Sequence, residues 1–430
     1  MNNNRKNPAQ NHQKTLDRMR KKMISNKGGQ KICLALLILN QSDNVNNLLE
    51  SLKPIIDMIS IIDLSEDLHN NLINLILDWG KNNNIQTKVI KDKFKNLPHN
   101  KTNSIKTSKI QFPNADYFLL SELDFIWNLN DFKKEALFED KYDVIQNTDY
   151  YRSTKLLSSK INWVCHLKTY EYWIDINDKS NSNGSLLTTL SIKKELNNDS
   201  RISLLFEDLN DTTISKYDKS RVKFYLGYAL KDSDRFEEAI NFSLERIQEG
   251  GCKEEIYYSI YNIGMSYEKW GWKIKQCIEF INKEVKTDND IEFIKKWNVK
   301  NQSIGELLTE SAKLFNNAIS HYKKAYEFRA TRSESLYSTA KLYRELEVSE
   351  MYILAYQTIM IGKKIQCPTD YLFVNQACYD YLFDFELIMI AYLIPDKKLE
   401  GKEALIRLLN RNDLPDIIKE NILLISNNYK

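Results

Sequence analysis

The sequence predicts an α/β domain on a doubly wound, mostly parallel sheet, followed by an all-helical repeat domain. Three observations carry this. Between positions 31 and 124, continuous apolar runs ending in polar residues alternate with stretches of helical periodicity. From Asp199 the periodicity is helical almost to the end of the chain. Glycine and proline are scarce, at 12 and 7 in 430 residues, which suits long helices better than a loop-rich β fold.

The first run, Lys31 to Asn40, is apolar throughout its interior, as expected of a strand buried on both faces of a parallel sheet. Asp43 to Lys53 then sets Val45, Leu48, Leu49 and Leu52 at helical spacing, with Asp43 placed to cap the helix. Met58–Asp63 reads as a second strand ending in a carboxylate, and a helix is expected from about Glu66 to Lys81. Gln86–Ile90 reads as a third strand, Asn100–Ile110 as a helix, and Asp116–Asp124 as a fourth strand ending in acid. Asp175 to Gly184, rich in Asn, Asp and Ser, reads as a polar loop.

In open α/β sheets ligands bind outside the carboxyl ends of the strands, where Asn40, Asp63 and the pair Glu122 and Asp124 all fall. Two carboxylates one residue apart at a strand tip can hold a divalent cation that also takes the phosphate oxygens of a nucleotide. Asp63 is placed to meet a base or ribose. The spacing alone suits a solvated strand end equally well.

These segments resemble family 2 glycosyltransferases of the GT-A fold. The resemblance runs through Ile32–Asn40, Leu48–Pro54 and Ile59–Asp63. His99-Asn-Lys-Thr-Asn103 then stands where that family carries Ala-Arg-Asn, and Ser121-Glu-Leu-Asp124 where it carries the metal-binding Asp-x-Asp. Tyr151–Leu157 and Asn162-Trp-Val-Cys-His166 are similar to the segment ending in Trp-x-Gly-x-His-Glu. The resemblance implies a nucleotide-sugar donor held by Asn40, Asp63 and Asn103, with a divalent metal (Mn or Mg) on Asp124 and Glu122. It also implies a metal-assisted, inverting transfer of the sugar to a hydroxyl acceptor.

The departures are specific. Gln41 follows Asn40 in place of an acid, Leu64 follows Asp63 in place of the small residues, Thr102 stands in place of the arginine, and Glu122 replaces the first aspartate. Leu167 replaces the glutamate after His166, which leaves His166 or Glu171 to act as base toward the acceptor. A histidine set in Trp163-Val-Cys-His166 reads more readily as a satisfied, partly buried side chain.

In the helical half, Gly227 and Ala239 lie twelve residues apart with large apolar residues between, the spacing of a tetratricopeptide-like helix pair whose small residues permit close approach. Ile256–Trp270 and Ser335–Tyr343 repeat the first-helix theme, and Ala318, Tyr322 and Ala325 the second, for about three degenerate units. Tyr257, Tyr258, Tyr261, Tyr267, Trp270 and Trp272 read as inter-helix core with phenol groups bonded at its edge, in preference to a sugar-stacking platform. Segments such as Phe224–Gly227, Arg246–Gly251 and Asp370–Val374 resemble the tail fused to family 2 glycosyltransferases in large DNA viruses and some bacteria. A pseudo-transferase that binds a protein partner through these repeats is the competing expectation.

The expected organisation is therefore a flexible basic head over 1–30, the α/β domain over 31–198 and the helical domain over 199–430. The 61 basic and 58 acidic residues nearly cancel, to +3, so bulk charge calls for no nucleic-acid partner. The longest apolar run is too short to span a bilayer. The six cysteines lie far apart with no CxxC pair, which suits a reducing compartment and a cytoplasmic location, the host cytoplasm if the protein is viral.

Overall fold

The structure is a computed structural model; it describes residues 29–39, 44–65, 71–130, 132–146, 151–177, 182–192, 197–299, 302–370 and 372–429. The basic head up to residue 28, Asn40, Gln41 and Asp43 lie outside the described residues. The chain divides into two compact units, Met1–Leu196 and Asn197–Lys430.

The first unit opens as the periodicity predicts: β1 (Ile32–Ile38), α1 (Val45–Leu52), β2 (Met58–Asp63), α2 (Asn71–Asn82), β3 (Gln86–Lys91), α3 (Leu97–Gln111) and β4 (Tyr117–Leu120). β1 is apolar along its whole length because both of its faces are covered. Ile32, Leu34, Leu36 and Ile38 join Leu48, Leu49 and Leu52 of α1 and Leu72 and Ile76 of α2 in one core cluster. Cys33 and Ala35 face the other way, into a cluster with Ile105 of α3, Trp163 and Trp173. The unit therefore has the expected layering, helices on both sides of a sheet.

Two boundaries differ from expectation. α3 begins at Leu97 rather than Asn100, because the Asn96 side chain accepts a hydrogen bond from His99 N and Pro98 occupies the first turn. The fourth strand stops at Leu120, since Phe125 N bonds to Glu122 O and closes a turn. After that turn the chain continues as β5 (Phe125–Asn128), β6 (Lys141–Gln146), β7 (Tyr151–Ser158), β8 (Trp163–His166), β9 (Tyr172–Asp175) and β10 (Asn183–Ile192). Of the polar stretch expected as a loop, residues 178–181 lie outside the described residues, and β9 and β10 take up its two ends.

The large sheet has the order β3-β2-β1-β4-β7-β6-β10-β5, and β8 and β9 form a separate hairpin. Pairing is parallel for β2–β3, β1–β2, β1–β4 and β6–β10, and antiparallel for β4–β7, β6–β7 and β5–β10. The fold class is thus the expected one, a mostly parallel α/β unit followed by an all-helical unit.

The second unit contains α4 (Asn198–Asn210), α5 (Lys216–Asp232), α6 (Phe236–Glu249), α7 (Lys253–Asn282), α8 (Asp288–Lys296) and α9 (Ile304–Phe328). It continues with α10 (Glu334–Glu345), α11 (Ser349–Gly362), α12 (Phe383–Ile390), α13 (Lys398–Leu409) and α14 (Asp416–Ile425). Gly227 is where α5 meets α6: a Cβ there would come within 2.5 Å of Ser243 Oγ and 3.3 Å of Ala239 O. Gly264 does the same between α7 and α9, where a Cβ would meet the Tyr322 ring at 2.6 Å and Ala318 O at 3.2 Å. Small residues thus set both close approaches.

The aromatic stretch is core. Tyr257 and Tyr258 are buried, Tyr258 stacks on Phe373, and Tyr261 packs against Tyr322 with its hydroxyl bonded to Ser338 Oγ at 2.7 Å. Glu255, at the start of α7, is buried against Arg246 at 2.9 Å and Arg221 at 3.2 Å.

Candidate functional site

Parallel pairing brings the carboxyl ends of β1, β2, β3 and β4 to one edge. Register sets Ile38 beside Asp63, Asp63 beside Lys91, and Ala35 beside Leu120, so residues 121–124 continue past the tip of β4 on that edge. Only β1 lies between β2 and β4, which puts their tips about 10 Å apart at the usual ~4.8 Å strand spacing. Asp63 and the Glu122/Asp124 turn therefore share one rim.

Asp63 is buried and bonded on both oxygens. Oδ1 accepts from Ser65 N at 3.0 Å and from Ser65 Oγ, while Oδ2 accepts from Lys91 Nζ at 2.8 Å. Burial alone would raise its pKa; the bonds from Lys91 and Ser65 outweigh that and hold the carboxyl below its ordinary value. Asp92 N bonds to Asp63 O, and Asp92 Oδ2 in turn accepts from Asn103 Nδ2 at 2.7 Å. Asn103 thus reaches the same rim from the second turn of α3.

That part of α3 is held by its own buried amide. Asn100 Oδ1 accepts from Lys95 N at 2.9 Å and Asn100 Nδ2 donates to Lys93 O at 3.1 Å, which fixes the loop between β3 and α3. Thr102 Oγ1 accepts from Cys165 N at 2.9 Å, tying the β8 strand to the helix. Lys101 between them stands 3.4 Å from Glu122 Oε1 and donates to Glu171 Oε2. Asp124 Oδ1 accepts from Asn44 Nδ2 at 3.3 Å.

His166 ends β8, half-buried, with its ring 5.3 Å from that of Tyr172 across the hairpin. The turn that follows holds Leu167 at φ +66° and Tyr170 at φ +52°, a conformation that costs a non-glycine residue about 1–3 kcal/mol. It brings Glu171 between Lys101 and Lys155, the latter 3.5 Å from Glu171 Oε1. All three side chains are largely buried, at 12%, 14% and 5% exposure for Lys101, Glu171 and Lys155. Burial raises the Glu171 pKa, but the two ammonium groups outweigh it and pull the carboxyl down to about 2. Burial lowers and Glu171 with Glu122 raises the Lys101 pKa; the carboxylates win and the lysine stays charged.

Sequence reasoning named His166, Glu171, Asp63, Asn103, Asp124 and Glu122 but passed over Lys91, Asp92, Lys101, Asn44 and Lys155. Lys101 and Lys155 lie inside the segments that carry the family resemblance, yet a lysine in a polar stretch ordinarily reads as a solvated side chain.

Two carboxylates suffice for a Mg²⁺ or Mn²⁺ that takes its remaining ligands from phosphates and water. Here Glu122 already faces an ammonium and Asp124 a side-chain amide, and among the described residues no three His, Cys, Asp or Glu side chains are grouped to hold a metal ion. A dication on the same Glu122 oxygen would stand about 5 Å from Lys101 Nζ, a repulsion on the order of 2 kcal/mol in water and several at an effective dielectric of ~20. The pair as folded does not fit a dedicated divalent site.

No protein-family model and no curated protein sequence matches the chain. Among solved structures, GalNAc-T7 with UDP, GalNAc and Mn²⁺ is similar at 11% identity and TM-score 0.22, over 37% of this chain and 30% of that one. A structure of S. aureus TarS 1-349 is similar at 13% identity and TM-score 0.27, over 63% of this chain and 91% of that one. A second structure of S. aureus TarS is similar at 12% identity and TM-score 0.27, over 70% and 55%. The chain thus spans less than a third of the GalNAc-T7 chain, and the fold assignment rests on strand order and layering rather than on these likenesses.

Proposed function

We propose that the N-terminal unit binds a nucleoside-diphosphate sugar along the carboxyl edge of its sheet and transfers the sugar to a hydroxyl acceptor. The observation that supports this is the gathering of Asp63, the Asp92–Asn103 pair, Lys101–Glu122 and Asn44–Asp124 on one rim. In this reading Asp63 and Asn103 face the nucleoside, and Glu122, Asp124 and Lys101 the diphosphate end. His166 takes the proton of the attacking hydroxyl, since Glu171, ion-paired to two lysines, is a weak base. One direct displacement, in which the acceptor oxygen bonds to the anomeric carbon as the diphosphate leaves, inverts that carbon.

A screen of nucleotide-sugars for release of free nucleoside diphosphate, run with and without manganese, tests the reading without knowledge of the acceptor. Turnover with one donor that falls in Asp124→Ala is the expected result. Absence of turnover and of nucleotide binding with every donor would refute it. The second reading, a catalytically inactive scaffold whose tetratricopeptide-like helices bind a protein partner, is favoured by one observation: the carboxylates of Asp63 and Glu171 are already spent on lysines. It predicts a nucleotide-silent chain whose partner is retained by the helical unit.

A further inference from the structure

We propose that Lys101 supplies the positive charge that neutralises the ligand's diphosphate, so that nucleotide binding by the N-terminal unit does not require a divalent cation. The proposal rests on the nucleotide-binding reading above and names the group that grips the phosphates. Three observations carry it.

First, Lys101 is a fixed cation. It projects from the capped first turns of α3, and the ion pair to Glu171, itself backed by Lys155, holds it from one side. Lys101 and Lys155 share Glu171, so on its other side Lys101 is balanced by Glu122. Second, its two carboxylate partners differ in access. Glu171 is 14% exposed, whereas Glu122 is 57% exposed and 3.4 Å away. Glu122 is therefore the exchangeable partner: its long side chain can swing into solvent and a phosphate oxygen can take its place on the same ammonium. Third, the arrangement recurs two strands away, where Lys91, 51% exposed, holds Asp63 Oδ2 at 2.8 Å. The rim thus carries its own cations at both of the strand tips where carboxylates were expected to meet the ligand.

On this account Glu122 competes with the diphosphate for Lys101 instead of serving it through a metal. The two roles make opposite forecasts for one exposed, structurally tolerant substitution. In Glu122→Gln the ammonium loses its competitor, so affinity for a nucleoside diphosphate stays the same or rises; a metal ligand at this position would lose affinity on the same change.

The test is calorimetric titration of the full-length chain with UDP, GDP, ADP and CDP, each in EDTA and in manganese. The expected result is that one diphosphate binds in EDTA within about threefold of its affinity in manganese, and that Lys101→Met weakens it about tenfold or more, the loss of one charge-assisted contact. Because Lys101 is buried, Glu122→Gln is the second variant and is expected to bind at least as tightly as the unaltered chain. Binding that vanishes in EDTA, returns with manganese and is lost in Glu122→Gln would overturn the proposal while leaving the nucleotide reading intact. Metal-independent binding indifferent to Lys101→Met would overturn the role of Lys101. No binding of any diphosphate under either condition would remove the nucleotide reading and this inference with it.

Discussion

Replacing Glu171 by Gln should destabilise the first unit by about 3–5 kcal/mol, the usual cost of removing one member of a buried ion pair and stranding its partners. The structure supplies the reason. Glu171 accepts from Lys101 and lies 3.5 Å from Lys155, and both lysines are nearly enclosed, so the amide would take the carboxylate from Lys155 and leave Lys101 only the exposed Glu122 at 3.4 Å. The same carboxylate predicts a pH dependence. Its pKa falls from the ordinary 4.5 to about 2 on folding, so the contribution is fully present above about 4.5 and is lost as the pH drops through 2. At ~1.4 kcal/mol per pH unit of depression, that window is worth on the order of 3 kcal/mol. Hydrogen exchange read on peptides covering 97–111 and 163–175 isolates the effect from the helical unit. The unaltered chain should lose protection there on acidification, and Glu171→Gln should start lower and respond less over the same window. A loss below about 1 kcal/mol, or an unchanged acid response, would refute the claim that this ion pair holds the β8–β9 hairpin to α3.

Two further outcomes follow from the packing. Gly264→Ala should gain about 1 kcal/mol of helix propensity in isolation, yet the Cβ would meet the Tyr322 ring at 2.6 Å and Ala318 O at 3.2 Å, so thermal unfolding of the second unit should show a net loss of about 1–3 kcal/mol. A thiol titration of the native chain should find Cys252 and Cys367 reacting ahead of the buried Cys33, Cys165, Cys277 and Cys378, with all six reacting after denaturation. Burial that pushes Cys33 up to about 12 and Cys277 up to about 11 keeps those thiols protonated at neutral pH. Early reaction of either would mean that its core opens in the native state.

No helix of the described residues is long and apolar enough to cross a membrane, in line with the short apolar runs of the sequence. The first four strands and the helices between them were legible because a doubly covered strand and a one-sided helix each write their burial into a local period. The region from Phe125 to Ile192 was not. Its strands pair antiparallel or cross over at long range, and residues such as Lys141, Thr154 and Asn183 blur the alternation that marks a half-buried strand. In the helical unit the close approach at Gly227 was legible, because a small residue flanked by large ones at helical spacing has few uses other than close approach; the one at Gly264 was not singled out.

The candidate site divides along the same line. Period alone put Asp63 at the end of a parallel strand and the Glu122/Asp124 pair at the end of another, where the structure has them in the turn just beyond Leu120, on the same edge. Only the tertiary structure decided what those carboxylates touch. Lys91 closes on Asp63 from 28 residues away, and Lys101 lies 21 residues from Glu122 and 70 from Glu171. Hydrophobic periodicity is a property of neighbours in the chain, whereas a buried charge must find its counter-charge wherever the folded backbone delivers one.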